Sequence, residues 1–188
     1  MNLPAEKINQ YAYELSVNNS QTALRALYLA FYPNLMSFIL YYVKSEQVAE
    51  EIISDIFLVV WDKRAELSEI ENLKSYIYRI AKNLAISFLR KDIVEPNTVD
   101  ANLALPFIKT GGNPETELIS EELMNRLNQA IDSLPEKCKL SFKLVREHGL
   151  RYKEAADVME ISVKTLEGHI SLAVKKLRDM LSDDLYHT

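Results

Sequence analysis

The stretch from Leu150 to Arg178 reads LRYKEAADVMEISVKTLEGHISLAVKKLR, and its spacing decides the fold of the C-terminal part. Val163, Leu166, Ile170, Val174 and Leu177 recur three and four apart, which predicts one apolar stripe on a helix from Val163 to about Met180. Ser162 stands just before it and suits the N-cap, because its side-chain oxygen can accept from a free N–H of the first turn. Leu150 to Met159 predicts a shorter helix, with Glu160, Ile161 and Ser162 as the turn between the two. Ala155 and Ala156 are small where the helices would cross. Upstream, Pro135 suits the opening of a further helix and Gly149 its end. The pattern is that of a helix-turn-helix. Its second helix would turn Lys164, Thr165, Glu167, His169, Ser171 and Lys175 outward. The helix start, Ser162 included, can enter a major groove, while Lys175, Lys176 and Arg178 can reach phosphates. An ordinary helix pair with a solvated charged face fits the same spacing.

Working outward, no glycine precedes Gly111, which favours helix throughout the first half. No alternating apolar and polar run predicts a strand. Pro96, Asn97, Thr98, Pro106, Gly111, Gly112, Asn113 and Pro114 cluster in one stretch, and such residues break helices and favour turns. The expected organisation is therefore all-α. An N-terminal helical domain (residues 1–92) and a C-terminal helix-turn-helix domain (117–188) are joined by a flexible linker (93–116).

Two N-terminal helices carry chemistry. AEEIISDIFLVVW, from Ala49 to Trp61, has a core face of Ile52, Ile53, Ile56, Val59 and Val60, and the acids Glu50, Glu51 and Asp55. Those acids suit a helix N-terminus through the macrodipole, whether or not they also meet a partner. LKSYIYRIAKNLAISFLRK, from Leu73 to Lys91, repeats Leu73, Tyr76, Ile77, Ile80, Ala81, Leu84, Ala85 and Phe88 as its apolar set. The other side is expected to carry Lys74, Tyr78, Arg79, Lys82, Asn83 and Arg90. A basic face with an aromatic ring and an amide offers charge for phosphates and a stacking surface for an unstacked base.

Composition bounds the rest. The chain has 188 residues, 48% of them hydrophobic, enough for one ordinary domain or two small ones. The net charge of −5 is awkward for a nucleic-acid binder, so the local distribution of charge matters more than the sum. Cys138 is the only cysteine, which rules out an intrachain disulfide and fits a reducing compartment. No apolar run of about 18 residues predicts a membrane span, and the N-terminus does not read as a signal peptide. His148, His169 and His187 form no cluster with Cys138, so neither a metal site nor a cofactor is expected. The sequence holds no Gly-rich phosphate loop, no carboxylate pair with a base and no nucleophile constellation, so an enzyme is the least favoured class.

Taken in order, AEEIISDIFLVVW, LKSYIYRIAKNLAISFLRK, LPEKCKLSFKLVREHGLRYKEAADVM and ISVKTLEGHISLAVKKLR resemble the small bacterial sigma factors of the extracytoplasmic-function type. The likeness spans roughly Ala23 to Lys91 and Glu117 to Leu181. The wording of SLPEKC and ISVKTLE looks most like members abundant in the Bacteroidetes. The first dozen or so residues and the linker show no useful match. The resemblance implies a cytoplasmic, non-enzymatic protein that directs core RNA polymerase to promoter DNA. It makes an anti-sigma partner plausible. Glu50, Glu51 and Asp55 would hold the polymerase clamp. Lys74, Tyr78, Arg79, Lys82 and Asn83 would engage the minus-ten element. Ser162, Lys164, Thr165, Glu167, His169, Ser171, Lys175 and Lys176 would meet the minus-thirty-five element. Glu160 departs from the family, where glycine is usual in the turn; a left-handed non-glycine residue there costs about 1 kcal/mol. The rival readings are a free-standing helix-turn-helix regulator, which leaves the basic upstream helix unexplained, and a helical adaptor with no DNA affinity.

Overall fold

The computed structural model describes residues 3–94 and 126–183, and every described element is helical. The chain divides into two compact units, Met1–Leu103 and Ala104–Thr188. The expected linker, 93–116, lies almost wholly outside the described residues.

The first unit holds α1 (Ala5–Asn18), α2 (Gln21–Val43), α3 (Glu46–Asp62), a 3-10 helix (Arg64–Glu69) and α4 (Leu73–Val94). Helix α2 packs on α1, α3 and α4. It buries Leu27, Phe31, Leu35, Phe38 and Ile39, each burial of this kind stabilising by about 1.5–3 kcal/mol. This 23-residue helix is long and apolar enough in composition to cross a membrane, but its apolar side is the core of the bundle. Pro33 interrupts it on the exposed side, where the carbonyl that loses its N–H partner can meet water. The corners are tight. Asn19 and Lys44 close α1 and α2 in the left-handed region (φ 48° and 52°). Ser20 and Ser45 then cap the following helices by accepting from Ala23 N and Val48 N.

The second unit holds a helix at residues 126–132 (α5), α6 (Glu136–Arg146), α7 (Tyr152–Met159) and α8 (Val163–Asp183). Ala130, Ile131, Leu134, Cys138, Ala173 and Leu177 form one buried cluster, so α8 is clamped against α5 and α6. Pro135 sits at the N-cap of α6. After α6, Gly149 takes φ 62°, and Leu150 N–H returns to the Leu144 carbonyl at 2.9 Å. Helix α7 begins two residues later than its apolar pattern suggests. Leu150 is buried ahead of it, and the carboxylate of Glu154 accepts from Arg151 N at 2.8 Å, fixing the start there.

Candidate nucleic-acid and polymerase interfaces

The turn between α7 and α8 is built as its residues dictate. Glu160 takes φ 58° and ψ 43°, the left-handed conformation that glycine would adopt without strain. Ser162 accepts from Thr165 N at 3.0 Å and contacts the Thr165 hydroxyl at 2.8 Å, so the expected cap is formed. From that start α8 buries Leu166, Ile170, Ala173 and Leu177. The stripe differs from the expected one at two places. Val163 and Val174 are 39% and 44% exposed, and Ala173 lies inward instead. Helical geometry turns each residue by about 100°, so the buried four centre between Leu166 and Leu177, with Ala173 about 30° from that centre and Val174 about 70°.

The side opposite that stripe is exposed and carries Lys164, Glu167, Gly168, Ser171 and Lys175, with Thr165 and Lys176 also exposed. His169 is the exception. The expectation that it points outward is corrected: it is half-buried, and its Nδ1 lies 3.1 Å from the hydroxyl of the buried Ser141 on α6.

On α3, Glu50, Glu51 and Asp55 are all exposed, while Ala49, Ile52, Ile53, Ile56, Phe57 and Val60 are buried. The Tyr32 hydroxyl donates to Glu50 at 3.0 Å, and that hydrogen bond raises the Tyr32 pKa above its ordinary value. Leu58 stands 61% exposed one turn beyond Asp55, an apolar side chain on an otherwise acidic ridge that the sequence reading passed over. Its only signal was its position, seven residues after Glu51.

Helix α4 departs most from expectation. Its N-terminus is capped by Asn72, whose side chain accepts from Ser75 N at 2.9 Å. The buried set is Leu73, Ser75, Ile77, Tyr78, Ala81, Lys82 and Ala85, whereas Tyr76, Ile80, Leu84 and Phe88 are only half-buried. Tyr78 is fully buried, its ring edge-on to Phe38 of α2 with centroids 5.0 Å apart. The placement of Tyr78 and Lys82 on the outward face is therefore corrected. Helix α4 is wedged between α2 and α3, so its buried arc is wider than one apolar stripe and takes in a large ring that fills the seam. Burial pushes the Tyr78 hydroxyl pKa up. Lys74 and Arg79 are half-buried, and Asn83 and Arg90 are exposed.

Before α4, the segment 62–72 is held rather than free. Arg64 stacks over Trp61 at 4.5 Å, donates to the Trp61 carbonyl at 2.8 Å and also bonds the Asn19 side chain. Ser16 of α1 donates to the Ala65 carbonyl at 3.2 Å and contacts Ser68 at 3.3 Å. Asn9, Tyr13, Leu67, Ser68, Ile70 and Glu71 line an open cleft of about 260 Å³ between α1 and this segment. Among the described residues, no group of His, Cys, Asp and Glu is placed to hold a metal.

A four-helix unit with an acidic ridge, followed by a capped helix-turn-helix whose outer line carries lysines, has the layout of a DNA-recognition protein. Residues 27–92 match the sigma-70 region 2 family, and residues 124–177 match sigma-70 region 4. The ECF RNA polymerase sigma-E factor of Escherichia coli K12 is 28% identical over 169 residues, covering 86% of this chain and 88% of that protein. The ferric citrate uptake sigma factor FecI of the same organism is 25% identical over 162 residues, covering 85% and 91%. Two solved structures share the fold. CnrH, in complex with the cytosolic domain of CnrY, has TM-score 0.62 and 19% identity, covering 95% of this chain and 99% of that one. The sigma factor RpoE of Bartonella quintana, in complex with the anti-sigma factor NepR, has TM-score 0.62 and 19% identity, covering 84% and 96%. The chain belongs to the sigma-70 family and is an RNA polymerase sigma factor of the extracytoplasmic-function type.

Proposed function

We propose a division of labour between the units, residues 1–92 serving the polymerase and the minus-ten element and 117–188 the minus-thirty-five element. The observation that carries it is the contrast in surface chemistry. The outer line of α3 is acidic and suits a basic polymerase surface, whereas α8 presents lysines and hydroxyls opposite its buried stripe and suits DNA. Glu50, Glu51 and Asp55, with Leu58 among them, dock on core polymerase. Lys74, Arg79 and Asn83 of α4, together with the segment 62–72, engage the minus-ten element. Lys164, Thr165, Glu167 and Ser171 face the bases of the minus-thirty-five element, while Lys175 and Lys176 meet phosphates, and His169, turned toward α6, is left out. Ser162 acts there chiefly as the cap that sets the start of the reading helix. Tyr78 has no place in this list, and Lys82 reaches DNA only if its head group emerges past its buried stem. The protein acts in the cytoplasm by recognition, without catalysis. Since CnrH and RpoE were each solved in complex with a second protein, a dedicated anti-sigma partner is part of the proposal.

In vitro transcription with core polymerase tests the reading. Promoter-specific transcripts are expected only when this protein is added. A free-standing regulator would instead bind its operator without polymerase and would leave the core enzyme unable to initiate.

A further inference from the structure

Three aromatic rings on α2 and α3 lead from the core of the first unit to its acidic ridge. Phe57 of α3 is buried, and Tyr28 of α2 packs edge-on against it with centroids 5.0 Å apart. Tyr32, one turn further along α2, meets the Tyr28 ring at 5.6 Å. Its hydroxyl reaches Glu50 Oε1 at 3.0 Å, on the exposed line of α3. A phenol hydroxyl donates and a carboxylate oxygen accepts, so the direction of that bond is fixed. The hydroxyl keeps its proton near neutral pH, since the same bond raises its pKa above the ordinary value. The bond takes up one lone pair of Oε1 and leaves Oε2 for a second donor. An exposed glutamate otherwise samples many rotamers, and a partner that needs one of them meets an entropic cost on binding. Tyr32 is the stiffer of the two side chains, with only two torsions and a ring that leans on Tyr28.

We propose that Tyr32 is a positioning residue for polymerase docking: it holds the Glu50 carboxylate in one orientation ahead of contact, so that a cationic side chain of core polymerase meets a preset acceptor. This rests on the reading of α3 as the docking helix. Tyr32 acts through Glu50 and not by touching the enzyme itself. The bond is exposed to water, so it biases the carboxylate and does not lock it, and the effect on affinity is correspondingly modest.

A double-mutant cycle on the affinity of the full chain for core polymerase tests this. Its members are Tyr32→Phe, which removes the hydroxyl and keeps the ring, Glu50→Ala, and the two together. Tyr32→Phe is expected to weaken binding by about two- to tenfold, the size of ordering one flexible side chain. Once Glu50 is alanine, the same change at Tyr32 is expected to have no further effect. Equal weakening in both backgrounds would mean that Tyr32 acts by its own contact or through the fold, and overturns the proposal. Unchanged or tighter binding in Tyr32→Phe overturns it as well. Glu50→Asp keeps the charge but draws the carboxylate back from the hydroxyl by one methylene, and should match Tyr32→Phe. Full affinity in Glu50→Asp counts against the proposal even if Tyr32→Phe does not fold. Reversal of Glu51 and Asp55 to lysine separates the two levels. If it weakens capture while Tyr32→Phe does not, only the positioning role fails; if neither weakens capture, the docking reading of α3 fails with it.

Discussion

Gly168 is an exposed residue in the first half of α8, and nothing in the structure requires it to be glycine. A Cβ built there meets no heavy atom within 4 Å. Glycine inside a helix is less stable than alanine by about 0.5–1 kcal/mol, because the unfolded chain loses more freedom on folding. Gly168→Ala is therefore expected to stabilise the C-terminal unit by about that amount. For a domain of this size, 1 kcal/mol moves the midpoint by about 4–8 °C, so a rise of about 2–8 °C is expected. The two units can be told apart in one sample. Trp61 is the only tryptophan and lies in the first unit, so its fluorescence follows that unit, whereas circular dichroism follows both. The transition seen by circular dichroism but silent in fluorescence should shift. An unchanged or lowered midpoint would show that the helix is constrained at Gly168 and would refute the reasoning. The same methyl would stand on the outer line between Lys164 and Ser171. Under the proposed DNA-reading role, the stabilised variant should initiate less well at its promoter.

Other perturbations separate surface from core. Reversing Glu51 and Asp55 to lysine is expected to weaken capture of core polymerase while circular dichroism stays unchanged; undiminished capture would remove α3 from the interface. Tyr78→Ala is expected to destabilise the first unit by about 3–5 kcal/mol, as for a buried aromatic, visible as a lower urea midpoint in Trp61 fluorescence. A variant that melted normally but failed to open a promoter would restore the ring to the DNA face. Glu147 is half-buried, and burial raises its carboxyl pKa although Lys143 partly offsets the effect. A raised folded pKa favours the native state below the ordinary carboxylate pKa, and that advantage is lost as pH rises through the folded value. Glu147→Gln should therefore flatten the decline in stability over that window, and an identical pH profile would argue against it.

Much of the second unit was legible in the residues because its signals are local. A serine before an apolar repeat, a proline and a glycine at the ends of α6, and small alanines at a crossing each act within a turn or two. Glu160 was legible as the strained residue for the same reason, since a family turn that uses glycine needs a left-handed conformation. The errors came where burial depends on neighbours from elsewhere in the chain. Spacing counted Val174 as core and left out Ala173, because alanine carries little weight in an apolar count yet fits a close helix contact. Tyr78 read as outward because it flanks the stripe, and only the position of Phe38 on α2 turns it in. His169 read as outward by the same logic, and Ser141 is 28 residues away from it in sequence. Leu58 was invisible as a surface residue because a leucine beside isoleucines and valines looks like more core.

The family match begins at residue 27, whereas α1 ends at Asn18, so the N-terminal helix lies wholly outside the matched region. Yet Ser16 and Asn19 hold the segment 62–72 at Ala65, Ser68 and Arg64, and Tyr13 forms a wall of its cleft. A fragment trimmed to the matched boundaries would cut into α2 and lose the brace under the segment leading into α4. Binding or opening measured on such a fragment would describe a loosened loop. The stretch ahead of the family match is also where two members of this family could come to differ in how stiffly they hold the segment 62–72.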